Sequence, residues 1–237
     1  MTNNIITQIR QTLIENSDEK TRLGSQRYFK EAITVHGVKT ATVKKISKEF
    51  FSEVKDKSKS EIFGLCEILW QSEYLEESFI ACDWSDRLQK QFEPEDFDVF
   101  ERWIKKYVNN WASCDTLCNH AVGNFLMMYP EFVGKLKEFA REENRWVRRA
   151  SAVSLIIPAR KGMFLSDIFE IAGILLTDKD DMVQKGYGWM LKAASQASQQ
   201  QVFEFVMQNK MVMPRTALRY AIEKMPEELK KKAMIKE

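Results

Sequence analysis

The sequence is short of the residues that make turns and of those that build most acid–base and metal sites. Only nine glycines and five prolines occur among 237 residues, too few to punctuate a sandwich or barrel of many short strands. With two histidines, a His-dependent triad is not inviting, and no Gly-rich phosphate loop, HExxH run or nucleophile elbow is present. Gly186-Tyr187-Gly188 lacks a third glycine and a preceding strand pattern, so no nucleotide cofactor, and no cofactor of any other kind, is expected. The four cysteines, Cys66, Cys82, Cys114 and Cys118, sit in apolar helical patterns and are expected as reduced, buried thiols. Cys114, Cys118 and His120 lack CxxC spacing and a second cluster to complete four ligands, so no metal is expected either. No apolar run is long enough to span a bilayer. Residues 1–11 carry no apolar core of a secretory signal, so the expected setting is cytoplasmic and without a membrane partner.

Net charge is also scarce, at +2, so any case for nucleic acid must rest on distribution. Residues 61–98 hold eleven acids against two bases, residues 141–161 six bases against two acids, and residues 1–60 twelve bases against seven acids. A solvated charged face explains any one block; a basic groove with an acidic back explains all three.

What is abundant is apolar periodicity at helical spacing, in a chain with 44% hydrophobic residues. Ile5, Ile9, Leu13 and Phe97, Phe100, Ile104, Val108 are examples, and no strand pattern competes. Ser60 before Glu61–Trp70, Pro94, Pro130, Pro214 and Asp180 or Asp181 read as helix punctuation, giving about twelve to fourteen helices. Two segments repeat: Asn144-Arg-Trp-Val147-Arg-Arg149-Ala150 matches Asp180-Asp-Met-Val183-Gln-Lys185-Gly186 at an offset of 36 residues. Asp115 and Arg149 stand 34 apart, marking a degenerate further copy. Periods of this size indicate stacked helix pairs, each burying its face only against its neighbours. No Gly-, Ser- or Pro-rich linker divides the chain, so one continuous domain over residues 1–237 is expected.

Aromatic, acidic and basic residues recur at helical offsets on this frame. Trp111 and Asp115, like Lys185 and Trp189, are four apart and share a helix face. Arg149 and Lys185 hold the same repeat position and should project alike, so that a concave groove of Trp, Asp, Arg and Lys results.

Asn110-Trp111-Ala-Ser-Cys-Asp115, Trp146-Val-Arg-Arg149-Ala and Gln184-Lys-Gly-Tyr-Gly-Trp189 resemble the segments that carry the active groove of AlkD-type alkylpurine DNA glycosylases. Arg27-Tyr28-Phe29-Lys30, Glu67-Ile-Leu-Trp70 and Pro214-Arg215-Thr-Ala-Leu-Arg219 extend the resemblance, in order, over nearly the whole chain. It implies an all-α, right-handed solenoid of HEAT-like helix pairs with a concave DNA-binding groove. It implies a monofunctional N-glycosyl hydrolase acting as a monomer on alkylated double-stranded DNA. Asp115 would be the catalytic carboxylate, Trp111 and Trp189 the aromatic walls, and Arg149 a backbone or phosphate contact. Tyr28, Arg27, Lys30, Arg148, Lys185, Arg215 and Arg219 would complete the DNA-binding set. Asn110 departs from members that carry another tryptophan there, and Cys114 and Cys118 replace ordinary apolar residues.

Plainer roles stand beside these. Asp115 reads equally as a helix cap or first-turn acid. Arg149 reads as an inter-repeat tie, and Trp111 and Trp189 as core aromatics. A non-catalytic HEAT-like DNA-binding protein or a protein-interaction scaffold is the alternative to an enzyme.

Overall fold

The computed structural model describes residues 2–235. Among them no strand forms, and a single isolated parallel bridge joins Thr34 to Tyr74. The periodicity expected to give helices does so throughout, in sixteen α-helical segments rather than twelve to fourteen. The excess comes from short helices that a periodicity window cannot separate from their neighbours. The chain forms two compact units, Met1–Leu117 and Cys118–Glu237.

Unit 1 contains α1 (Thr2–Glu15), α2 (Glu19–Tyr28), α3 (Thr40–Val54), α4 (Lys59–Trp70), α5 (Leu75–Arg87), α6 (Asp96–Lys106) and α7 (Trp111–Leu117). Helices α1, α3, α5 and α7 pack in succession, and α4 lies against α5. Ile9, Leu13, Ile62, Leu69, Trp84, Phe97 and Phe100 are sealed in the core, each worth about 1.5–3 kcal/mol by removal from water. The start of α4 differs from the sequence expectation. Ser58, not Ser60, caps it, because Ser58 and Glu61 form a reciprocal capping box that satisfies two end groups at once.

The acidic stretch 61–98 is not a solvated face throughout: Glu61, Glu73, Glu93, Glu95 and Asp98 are exposed, but several of its other carboxylates are structural. Glu76, Glu77 and Asp96 are buried. Asp96 accepts from Lys59 Nζ at 2.8 Å and from the Glu93 N–H at 2.8 Å. Glu67 ties α4 to α6, accepting from the Tyr107 hydroxyl at 2.6 Å, the Arg102 guanidinium at 3.0 Å and the Trp103 indole. Burial pushes the Glu67 carboxyl up, but these three donors together hold it below the usual glutamate value.

Unit 2 opens with a π-helical turn, Cys118–Val122, followed by α8 (Gly123–Met128), α9 (Val133–Phe139), α10 (Arg145–Val153), α11 (Ile156–Arg160) and α12 (Leu165–Ile174). Helices α13 (Asp181–Ala194), α14 (Gln199–Asn209), α15 (Arg215–Ile222) and α16 (Glu227–Met234) complete it. Pairs α9/α10, α12/α13 and α14/α15 stack so that α10, α13 and α15 form one row and α9 and α12 begin a second. Phe169 continues that second row by stacking on Phe205 of α14, with centroids 5.0 Å apart.

The 36-residue repeat read from sequence has a structural counterpart. Asn144 caps α10 by accepting from the Trp146 N–H at 2.9 Å, and Asp180 caps α13 by accepting from the Met182 N–H at 2.8 Å. Val147 and Val183, at matching positions, are both buried. Small residues set the spacing of the row. A Cβ at Gly188 would lie 2.7 Å from Tyr220 Cβ and 2.8 Å from the Ala217 carbonyl oxygen, so only glycine lets α15 approach α13 this closely.

Candidate functional site

In unit 1 the candidate site begins with the placement of α2. Asp18 caps the helix, accepting from the Thr21 N–H at 3.0 Å and the Thr21 hydroxyl at 2.6 Å. These bonds hold its carboxyl below the usual aspartate value. No residue of α2 is buried, so the helix depends on its ends. Its start is fixed by the Asp18 N–H donating to the Gly37 carbonyl at 2.9 Å. Gly37 has φ +92°, and a Cβ there would come within 2.8 Å of Arg22 Cβ, so glycine is required.

The segment around Gly37 is itself held by Glu76. Its carboxylate accepts from the N–H groups of His36 at 3.0 Å, Gly37 at 2.9 Å and Val38 at 3.0 Å. The neighbouring Glu77 accepts from Arg10 at 3.0 Å and meets His36 Nε2 at 3.0 Å. Two adjacent buried carboxylates therefore anchor the support of α2.

At the far end, α2 delivers Tyr28, 71% exposed, beside the first residue of α7. Trp111 stacks face to face on Phe29, with centroids 5.2 Å apart and planes at 18°. Tyr28 meets it edge-on at 5.8 Å. These rings line an open cleft of about 470 Å³, with Phe79 and Leu75 behind them. Offset and edge-on aromatic pairs are worth about 0.5–1.5 kcal/mol beyond burial, enough to fix the indole while leaving one side of the cleft open. Arg27 and Lys30 are exposed on either side of Tyr28.

Asp115 follows Trp111 by one turn of α7 and is half-buried. It is not the cap. That role belongs to Asn110, whose side-chain oxygen accepts from the Ser113 N–H at 2.9 Å, and α7 has no acid in its first turn. The plain reading of Asp115 as a helix cap is thereby removed. The departure at Asn110 is explained too: Asn110, Asn144 and Asp180 are three N-caps at matching repeat positions. Trp111, bearing on a satellite cluster of Phe29, Ile33, Phe79 and Leu75, is part-buried and not a member of the sealed core.

In unit 2 the remaining candidates lie on successive members of the α10, α13, α15 row. Arg149 is 5% exposed. Its guanidinium donates to the Met182 carbonyl in the first turn of α13, and its stem packs on Gly186, where an added Cβ would lie 3.3 Å from Arg149 Cγ. Arg148 is engaged internally. Its Nε donates to Asp178 at 2.6 Å, and Nη1 donates to the carbonyls of Glu142 at 2.9 Å and Glu143 at 2.6 Å. Lys185 pairs with Asp181 at 3.2 Å, an exposed-side contact worth a few tenths of a kcal/mol, about 0.3–0.5. Trp189, one turn later, is part-exposed, as is Arg215; Arg219 is exposed. Tyr187, between Lys185 and Trp189, is buried and donates to the Leu176 carbonyl at 2.9 Å. Burial, with Asp178 nearby, pushes its phenol well up.

The sequence reading missed Phe29 and Glu76. Phe29 follows the last residue of α2 in extended backbone, so helical offsets do not place it against Trp111. Glu76 sat in an acidic run that read as surface. Cys66, Cys82, Cys114 and Cys118 are all buried, and burial raises the Cys66 thiol. His120 is exposed. Among the described residues no three His, Cys, Asp or Glu side chains gather as metal ligands. No helix among them is long and apolar enough to cross a membrane.

Comparison with known proteins places the chain. It is similar to the structure of a predicted DNA alkylation repair enzyme from Enterococcus faecalis, with TM-score 0.80 and 19% identity over 90% of this chain and 98% of that one. It is also similar to the crystal structure of smu.31 from Streptococcus mutans UA159, with TM-score 0.57 and 19% identity over 83% and 98% of the two chains. At these identities the likeness is one of fold. No curated protein matches significantly. The sequence profile described as "DNA alkylation repair enzyme" matches residues 9–225, and the chain belongs to that family.

Proposed function

We propose that the protein is a monofunctional DNA glycosylase that hydrolyses the bond between deoxyribose and a cationic N3- or N7-alkylated purine in duplex DNA. The observation that carries this reading is Asp115 on α7, a half-buried carboxylate one turn from a tryptophan that stands at an open aromatic cleft.

The chemistry asks for little else. A purine alkylated at N3 or N7 is already positively charged and leaves without protonation. As the glycosidic bond stretches, its electron pair passes to the purine and neutralises it, and positive charge develops on the sugar. A fixed carboxylate stabilises that oxocarbenium-like centre. Water then adds at the anomeric carbon and gives up a proton to the carboxylate or to solvent, leaving an abasic site. The face of Trp111 attracts the cationic base by about 0.5–2 kcal/mol, which favours it over a neutral purine. Trp189 is the second aromatic in this reading.

The cations take different parts. Arg27, Lys30, Lys185, Arg215 and Arg219 are the proposed phosphate contacts. Arg148 has its planar fork occupied by Asp178 and two carbonyls, and Arg149 is held at the Met182 carbonyl. Both serve here as positioning residues for the row.

The test is release of free 7-methylguanine and 3-methyladenine from methylated DNA. Asp115→Asn is expected to lower the single-turnover rate by about 10²–10³ with duplex binding nearly unchanged. Full release by that variant would remove Asp115 from the mechanism. Salt-sensitive binding with no base release by the unsubstituted protein would assign the non-catalytic DNA-binding reading instead.

A further inference from the structure

Three of the large apolar side chains exposed in this protein stand together at one end of unit 2. Met211 is 66%, Val212 57% and Ile235 59% exposed. Met211 and Ile235 share the lining of a cavity of about 380 Å³ with Lys210 and Arg215, and no carboxylate lines it among the described residues.

The projection is built, not loose. Helix α14 ends at Asn209, whose carbonyl accepts from the N–H groups of both Val212, at 3.0 Å, and Met213, at 2.9 Å. The Asn209 side chain donates back to the Phe205 carbonyl at 2.8 Å. Met213 is buried, and Pro214 then starts α15 in extended backbone. With both ends pinned, Met211 and Val212 are turned outward. Apolar side chains gain by leaving water, so two adjacent ones fixed in it are poised for a partner.

Charge selects the partner. Lys210 precedes the apolar pair, and Arg215 and Arg219 follow on one face of α15, four residues apart. Apolar side chains flanked by cations match a duplex, in which phosphates border the grooves and an inserted methionine or similar side chain parts a base step. A lipid surface is a poorer match, because it takes a broad amphipathic helix. The apolar side of α15, with Ala217, Leu218, Ala221 and Ile222, is already buried within the unit.

We infer that Met211 and Val212 form a wedge that enters the minor groove of duplex DNA, with Lys210, Arg215 and Arg219 on the flanking phosphates. This rests on the proposed function only in taking DNA as the partner, and it places a second contact outside the aromatic cleft.

The test uses the full chain and undamaged duplexes carrying 2-aminopurine at successive steps, together with base release from methylated DNA. The unsubstituted protein should raise 2-aminopurine fluorescence at one step. Met211→Ser/Val212→Ser should abolish that rise and weaken binding about tenfold, since a wedge supplies part of the contact energy. Its salt slope should stay unchanged, whereas Arg215→Ala/Arg219→Ala should reduce the slope by about 1.8. A Met211→Leu/Val212→Ile variant should restore the signal, which separates the wedge from any folding defect. Equal affinity and fluorescence in the serine variant would overturn the wedge even if base release is normal. Sedimentation with phosphatidylglycerol vesicles that the serine variant loses, with DNA signals unaltered, would overturn it in favour of lipid. Absence of base release with an intact wedge signal would sink the glycosylase reading and leave this inference standing.

Discussion

At the scale of single residues, Trp111 is placed by two rings, of which the sequence singled out Tyr28 but not Phe29. Its indole is clamped by Phe29 face-on and Tyr28 edge-on, so its orientation depends on α2, a helix with nothing buried. Trp111→Ala should therefore cost little in stability but weaken discrimination between cationic and neutral purines by about 0.5–2 kcal/mol. Competition between 7-methylguanine DNA and unmodified DNA for single-turnover release checks it. Phe29→Ala should give a smaller version of the same loss, with the fold intact by circular dichroism. An unchanged preference in Trp111→Ala would show that the indole only packs. Trp111 and Asp115 were legible from their four-residue spacing, which is a property of one helix. Phe29 was not, because its neighbourhood is made by the end of α2 meeting α7 across more than eighty residues of chain.

At the scale of helices, the sequence showed one repeat clearly because the same local device, an Asx cap followed by a buried valine, is written twice at 144–147 and 180–183. Elsewhere the period is kept by long-range polar ties that leave no common motif. Glu67 joins α4 to α6 through Arg102, Trp103 and Tyr107, while Glu76 holds the 36–38 segment. Both look like surface acids in the sequence, and only the donors gathered around them reveal otherwise. The Glu67 tie has a pH signature. Its carboxyl lies below its unfolded value in the native protein, so its contribution is present above the ordinary glutamate range and is lost as pH falls through the lower native value. Glu67→Gln should destabilise the protein at pH 7 by about 1.5–3 kcal/mol, the range for hydrogen bonds to a charged group. It should also flatten the acid limb of the stability curve, measured by urea denaturation between pH 7 and pH 3. A parallel downward shift at all pH values would show that Glu67 contributes only packing.

At the scale of the whole molecule, a net charge of +2 hides how the cations are divided between internal ties and the proposed phosphate contacts. Arg148 is committed to Asp178 and two carbonyls, Lys59 to Asp96 and Glu93, and Arg10 to Glu77. The proposed set is five, Arg27 and Lys30 in unit 1 and Lys185, Arg215 and Arg219 in unit 2. Each phosphate neutralised on B-DNA contributes about 0.9 to the slope of log K against log salt. Binding through all five gives a slope of about −4.5, and binding through the three of unit 2 alone gives about −2.7. The expected value is the steeper one, because the reading that puts Asp115 at the lesion requires unit 1 to engage the duplex as well. Arg27→Ala/Lys30→Ala should then lower the slope by about 1.8, as should Arg215→Ala/Arg219→Ala. Fluorescence anisotropy titrations from 50 to 300 mM salt, roughly the range in which phosphate contacts dominate affinity, measure both. A slope near −2.7 that is indifferent to Arg27 and Lys30 would confine DNA to unit 2 and detach the aromatic cleft from the reaction.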